Sequence, residues 1–332
     1  MSNIQSELSK LLHANQEKLE KMIEVSRERS WKHFGRRIRF YIPSFVRYNS
    51  SYFYSAPNVF PSMSITGSSC TLRCKHCQGK ILKTMIPVPT PAELMEVSKN
   101  LKEEGGIGFL LSGGCLPDGS VPLENFIEVI SQIKRELGLT IVVHTGLIND
   151  QTAKKIKSTK IDAVLIDVIG SNETINEIFQ LNFKVEDYDK SLRLLSESEI
   201  PLVPHILVGL HYGKLKGEFQ SLKMISKYNP AAVIIIAFIP IKGTAMENAS
   251  PPKPEDISRV LVAARLFLPT TPLVLGCMRP KGEHRVKTDL LAVKAGVNAI
   301  AFPTEEAIQL AESMGLTTSF SSVCCSQIYS CY

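Results

Sequence analysis

Gly67-Ser68-Ser69-Cys70-Thr71-Leu72-Arg73-Cys74-Lys75-His76-Cys77 decides how the rest of the chain is read. Three thiols at the spacing C-x3-C-x2-C follow directly on a short strand candidate, Ser62 to Thr66, so the cysteines sit in a strand-to-helix connection. Iron–sulfur clusters are held by cysteine thiolates, and a [4Fe-4S] cluster with only three of them keeps one iron open to an outside ligand. Two other readings exist: a tetrahedral zinc completed by His76, or unrelated buried thiols. The placement straight after the first strand of a repeating series favours the cluster.

Working outward, β-branched runs alternate with longer amphipathic stretches, the pattern of βα units on a parallel sheet. Strands are predicted at Ser62 to Thr66, Gly108 to Ser112, Thr140 to His144, Ala163 to Asp167, Leu202 to Val208, Ala232 to Phe238, Pro272 to Leu275 and Ala299 to Phe302. Eight such strands with helices between them predict an α/β fold, a (βα)8 TIM-type barrel over residues 46–315. Strand C-terminal ends then form the functional mouth. An N-terminal helical arm, residues 1–45, and a short cysteine-bearing tail, residues 316–332, lie outside it.

Composition sets the outer limits. At 44% hydrophobic and 21% charged residues the 332-residue chain reads as globular rather than disordered. The longest apolar run, Ala231 to Ile241, is too short to span a bilayer, and the N-terminal stretch has no apolar signal core, so no membrane role and a cytoplasmic location are expected. Eight cysteines in a reducing compartment point to metal or chemistry more than to disulfides. The net charge of +6 is uneven: Arg27, Arg29, Lys32, Arg36, Arg37 and Arg39 crowd around Trp31 and Phe34. That run is either a docking face for an acidic partner or a solvated helix face. No nucleic-acid signature accompanies it.

The cysteine loop and the strand ends after it resemble the radical S-adenosylmethionine (SAM) superfamily. The resemblance implies a [4Fe-4S] cluster on Cys70, Cys74 and Cys77, and SAM bound at the open iron and cleaved to a 5′-deoxyadenosyl radical. It further implies that Ser112, Gly113 and Gly114 contact the methionine end of SAM, with Cys115 where relatives often carry an acid. Asp167 falls at the ribose, and Ile206, Gly209 and Ile239 lie along the adenine. His76 stands where the superfamily more often has an aromatic residue.

From about residue 30 the chain is similar to biotin synthase and its homologues, through Arg36-Arg37-Ile-Arg-Phe-Tyr41, Val208-Gly-Leu210, Ile239-Pro-Ile-Lys-Gly-Thr244 and Met278-Arg279-Pro-Lys-Gly-Glu-His-Arg285. The inner-strand cysteines of that family's [2Fe-2S] site are replaced by Leu111, Val142 and Val203, which carry no ligand atom. Biotin formation is therefore not expected. The tail supplies Cys324, Cys325 and Cys331 instead, and with Cys277 they are the candidate ligands of a second [4Fe-4S] cluster. That combination resembles a component of the two-component lipoyl synthases. The resemblance implies sulfur insertion at C6 or C8 of an octanoyl group on a lipoyl-carrier protein, with a second radical SAM protein and a low-potential electron donor as partners. The rival readings are a relative whose second cluster only relays electrons, and a non-catalytic iron–sulfur partner. His144, His205 and Arg279 are candidate substrate contacts; Arg279 also matches the arginine ligand of the biotin synthase site.

Overall fold

The computed structural model describes residues 2–44, 48, 50–54 and 56–332. Helices α1 (Ser2–Leu12) and α2 (Gln16–Phe34) come first, then strand β1 (Arg37–Tyr41). The repeating part begins with β2 (Ser62–Ser64), β3 (Ile86–Pro87), α3 (Pro91–Glu103), β4 (Gly108–Ser112), α4 (Ile127–Leu137), β5 (Thr140–His144), α5 (Asp150–Lys157) and β6 (Ala163–Asp167). It continues through the short α6 (Asn172–Thr174), α7 (Val185–Ser196), β7 (Leu202–Val208), α8 (Glu218–Ile225), β8 (Val233–Ala237) and α9 (Pro254–Phe267). Next come β9 (Leu273–Leu275), α10 (Glu283–Ala295), β10 (Ala299–Ala301), α11 (Glu305–Ser313) and β11 (Thr317–Ser321), and a 3₁₀ helix over Cys325–Cys331 follows.

Local chemistry sets these boundaries. Thr90 caps α3 in a reciprocal box with Glu93: the Thr90 side chain accepts from the Glu93 N–H, and the Glu93 carboxylate accepts from the Thr90 N–H at 2.9 Å. Pro91 opens the first turn, where a missing N–H costs nothing. Strand β8, Val-Ile-Ile-Ile-Ala, is buried at every position, as a parallel strand covered on both faces must be.

The sheet order is β11-β1-β10-β9-β8-β7-β6-β5-β4-β2-β3, with every pairing parallel. Side chains alternate between two cores. Ile141, Val143, Val164 and Ile206 pack toward the helices, while Val142, Leu165, Val203, Ile234 and Ala299 line the other face. Cys324, Cys325 and Ile328 belong to that inner core. The 3₁₀ helix touches both β6 and β10, four places apart in the order. A short helix reaches both only if the sheet curls around it.

All eight expected strands are present, and the α/β TIM-type architecture stands. The count is eleven rather than eight, and the order ends at β3 and β11 instead of closing a ring. The sequence reading missed β1 because its basic residues hid an alternation: Ile38 and Phe40 are buried on the helix side, Arg39 and Tyr41 face the interior. The expected boundary at residues 45 and 46 lies outside the described residues. The tail is no appendage, since β11 pairs with β1 over five residues and the 3₁₀ helix occupies the curl.

The arm lies against the outside of the sheet's helix layer. Leu19, Ile23, Ser26, Ser30 and Phe34 form the buried stripe of α2, at the three-to-four spacing of one helix face. Part of the basic run is spent internally, because Arg27 and Arg36 both sit over the Trp31 ring, at 5.3 and 4.9 Å. No helix among the described residues is long and apolar enough to cross a membrane.

Candidate metal centre

The cysteine loop leaves β2 at the C-terminal edge of the sheet and is fixed on two sides by its backbone. Toward β4, Ile65 N–H donates to the Ser112 carbonyl (2.9 Å), Gly114 N–H to Thr66 Oγ1 (2.7 Å) and Thr71 N–H to the Cys115 carbonyl (3.0 Å). Toward the turn after β6, Lys75 N–H donates to the Ile178 carbonyl at 2.8 Å. Gly114 is required by close approach: a Cβ there would stand 2.0 Å from the Ser69 carbonyl oxygen and 2.6 Å from Cys70 Cα. Gly113 and Gly114 thus lie against the loop, and Ser112 ends the strand that anchors it.

Cys74 is buried while Cys70 and Cys77 are half-buried. Cys74 hydrogen-bonds to Cys77, which pulls the Cys77 thiol well down and holds the Cys74 thiol up. One thiolate is therefore ready before any metal arrives. A cavity of about 520 Å³ opens beside Cys70, lined also by Thr66, Ser68, Gly114 and Cys115. Burial pushes the Cys115 thiol up to about 12, which makes it a neutral wall of that cavity. A tetrahedral zinc, with Zn–S near ~2.3 Å, needs donors roughly 4 Å apart. Among the described residues the groups that converge to within 4.8 Å are other sets, not these thiols with His76. His76 instead meets Phe179 edge-on at 5.4 Å.

Three side chains on neighbouring strands come together, two from strand ends and one, His205, from midway along β7. His144 of β5, Asp167 of β6 and His205 of β7 place one donor atom each within 4.8 Å of the others. His144 Nε2 is 3.5 Å from Asp167 Oδ1, and the two imidazole centroids are 5.7 Å apart. Burial alone raises a carboxyl, but His144, His205 and His76 hold Asp167 down to about 2. Burial lowers His205 to about 4. The same burial acts on His144, where the Asp167 charge outweighs it and the net shift is upward.

Other expected contacts are placed differently. Ile206 is 1% exposed and packs among the helices, so its side chain has no path to the mouth; the period of two turns it outward between His205 and Leu207. The Gly209 N–H is committed to buried Glu218, at 2.8 Å. Ile239 is half-buried, two residues beyond the end of β8. On β4 it is Leu110, not Leu111, that faces the interior, which moves the apolar replacement by one residue; Val142 and Val203 do face inward.

Arg279 is not a substrate clamp. It is fully buried, pairs with Asp289 through Nε (2.7 Å) and Nη2 (2.9 Å), and gives its remaining donors to the carbonyls of Gly276, Ala301 and Phe302. All five N–H groups are used, leaving none for a ligand. Asp289 carried no signal in the sequence, because nothing marks which acid on a helix turns inward.

The second thiol group also separates. Cys277, just past β9, lies with buried Cys324 and Cys325 against the inner core. Cys325 hydrogen-bonds to Cys324 and lowers it, while His144 stands close enough to act in the same direction. Cys331 does not join them. A 3₁₀ helix rises about 2.0 Å per residue, which puts Cys331 about 12 Å from Cys325. Its Sγ rests instead on Arg39 Nη1 at 2.6 Å, with the Tyr41 hydroxyl at 3.9 Å. Three of the four expected thiols thus lie against the inner core and the fourth lies apart from them.

Residues 64–214 match the model of the Radical SAM superfamily. Among curated proteins the chain is 27% identical over 264 residues to the biotin synthase of Leptospira biflexa, covering 78% of this chain and 68% of that one. It is 25% identical over 245 residues to the biotin synthase of Rickettsia felis, covering 72% and 78%. Among solved structures it is similar to methylornithine synthase (PylB), with a TM-score of 0.62 at 18% identity over 94% of this chain and 93% of that one. The FeFe-hydrogenase maturase HydG of Carboxydothermus hydrogenoformans gives 0.65 at 16% identity, covering 96% and 80%. The cysteine loop lies inside the segment that matches the Radical SAM superfamily, and over about three quarters of its length the chain is similar to biotin synthases.

Proposed function

We propose that the chain is a sulfur-inserting radical SAM enzyme that works as a component of a two-component lipoyl synthase, acting at C6 or C8 of an octanoyl group carried on a protein. The observation that carries this reading is the thiol trio Cys277, Cys324 and Cys325, set inside the curl of the sheet below the mouth, where the wall at Leu110, Val142 and Val203 is apolar. That wall cannot ligate an inner [2Fe-2S] cluster, so a sulfur donor needs the trio.

Cys70, Cys74 and Cys77 would hold the first [4Fe-4S] cluster, which supplies the electron that cleaves SAM, and the trio would hold a second that supplies sulfur. The chain's own part is positioning. Gly113 and Gly114 keep backbone against the cysteine loop, and Ile239 offers an apolar edge to the adenine. Asp167, fixed as an anion, can accept from ribose hydroxyls. The apolar wall suits an acyl chain and keeps water from a carbon radical. Arg29 and Lys32, exposed on α2, would meet an acidic carrier domain, while a second radical SAM protein and a low-potential donor complete the system in the cytoplasm.

The deciding experiment is anaerobic reconstitution, followed by reduction with SAM and an octanoylated carrier. About eight irons per chain, 5′-deoxyadenosine and a thiolated octanoyl product by mass spectrometry are expected. Deoxyadenosine with no sulfur on the acyl chain would defeat the sulfur-donor role. Survival of the second cluster through turnover would assign it to electron relay.

A further inference from the structure

The His144, Asp167 and His205 constellation does more than any one of its members was expected to do. Two imidazoles and one carboxylate present donor atoms that all lie within 4.8 Å of one another. They come from three neighbouring strands whose register is fixed: His144 and Asp167 end β5 and β6, His205 lies midway along β7, His144 pairs with Leu165, and Asp167 with His205. Site geometry therefore rests on the sheet, not on a loop.

One of the donors has no partner of its own: Asp167 Oδ1 is a buried atom with no hydrogen bond, while the His205 ring is held by the Val203 backbone of its own strand. The His144 contact to Oδ1, at 3.5 Å, is longer than a normal N–H···O bond. Buried polar atoms left without partners are costly, so they mark a missing ligand more often than a resting arrangement. An anion is a poor candidate, because ionised Asp167 repels it. A cation meets one carboxylate charge and two imidazole lone pairs.

We infer that these three side chains form a mononuclear divalent-metal site, a two-histidine, one-carboxylate face for an Fe²⁺- or Zn²⁺-class ion that uses no thiol and lies beside Cys324 on its His144 side. Such a face leaves coordination positions open toward the mouth, where an oxygen or sulfur group of a substrate can bind. The inference stands independently of the octanoyl reading.

A second set, Glu173, Glu177 and His211, converges similarly but lies at the surface, and the Lys216 ammonium already pairs with Glu173. It serves as the control.

The test uses the full-length, cluster-loaded protein in its diamagnetic oxidised state and titrates it with Mn²⁺, which binds imidazole and carboxylate but not thiolate well. The free-ion EPR signal reports occupancy. One Mn²⁺ per chain is expected, displaced by Zn²⁺, with binding weakened about tenfold to a hundredfold or more in H144Q and H205Q and unchanged in H211Q. Iron content and thermal melting of each variant show that it is folded. Absence of Mn²⁺ binding in the parent, or binding that H144Q and H205Q leave unaltered, would overturn the site.

Discussion

The two cysteine-rich stretches of this chain look alike as text and differ as objects. Cys70, Cys74 and Cys77 lie on a loop whose backbone bends back on itself, tied to β4 and to the turn after β6, so residues four and three apart face one volume. Cys324, Cys325 and Cys331 start in the same way but enter a 3₁₀ helix, which carries the last thiol about 12 Å down the interior. Equal cysteine density therefore gives one converging trio and one divided set. Cys277, distant in sequence, replaces Cys331 beside Cys324 and Cys325.

The sharpest way to break this contrast is Cys74→Ala, expected to abolish SAM cleavage, measured as 5′-deoxyadenosine; any turnover near the parent rate would remove the loop from the chemistry. Next comes Gly114→Ala, where the new Cβ would meet Ser69 and displace the loop. A shift near 1 Å costs on the order of a hundredfold in cleavage rate, with iron content largely kept. In the tail the contrast reads out as metal: Cys325→Ser should lose about half of the iron, whereas Cys331→Ser should keep it, assayed by iron and sulfide analysis. The reverse result would restore the grouping expected from spacing.

The smallest effect on chemistry belongs to the pin that holds the mouth side of the sheet. Asp289→Asn leaves Arg279 charged and buried, and should destabilise the fold by about 3–5 kcal/mol in denaturant unfolding, while SAM cleavage by the folded fraction persists. Loss of cleavage with unchanged stability would return Arg279 to a ligand role.

Much of this was readable from residues. The eight strand candidates all appear as strands, because a parallel strand covered on both faces is a short, mostly apolar run, as Val-Ile-Ile-Ile-Ala of β8 is. Strand β1 was hidden because Arg37 and Arg39 mask the alternation of Ile38 and Phe40, and β11 because Thr317 to Ser321 has no apolar run at all. Ile206 and Leu111 were misjudged for a related reason: a shift of one residue along a strand moves a side chain to the other face, and spacing alone does not say which face is inside.

By itself the sequence determined the cysteine loop and the βα order, since both are local: thiol spacing within one turn of chain, and hydrophobic period within one element. Only tertiary structure decided which distant groups meet. It joined His144, Asp167 and His205 from three neighbouring strands, tied Arg279 to Asp289, and divided the tail cysteines. Those outcomes depend on strand register and the curl of the sheet, which follow from packing across the whole molecule and leave no mark at any single position.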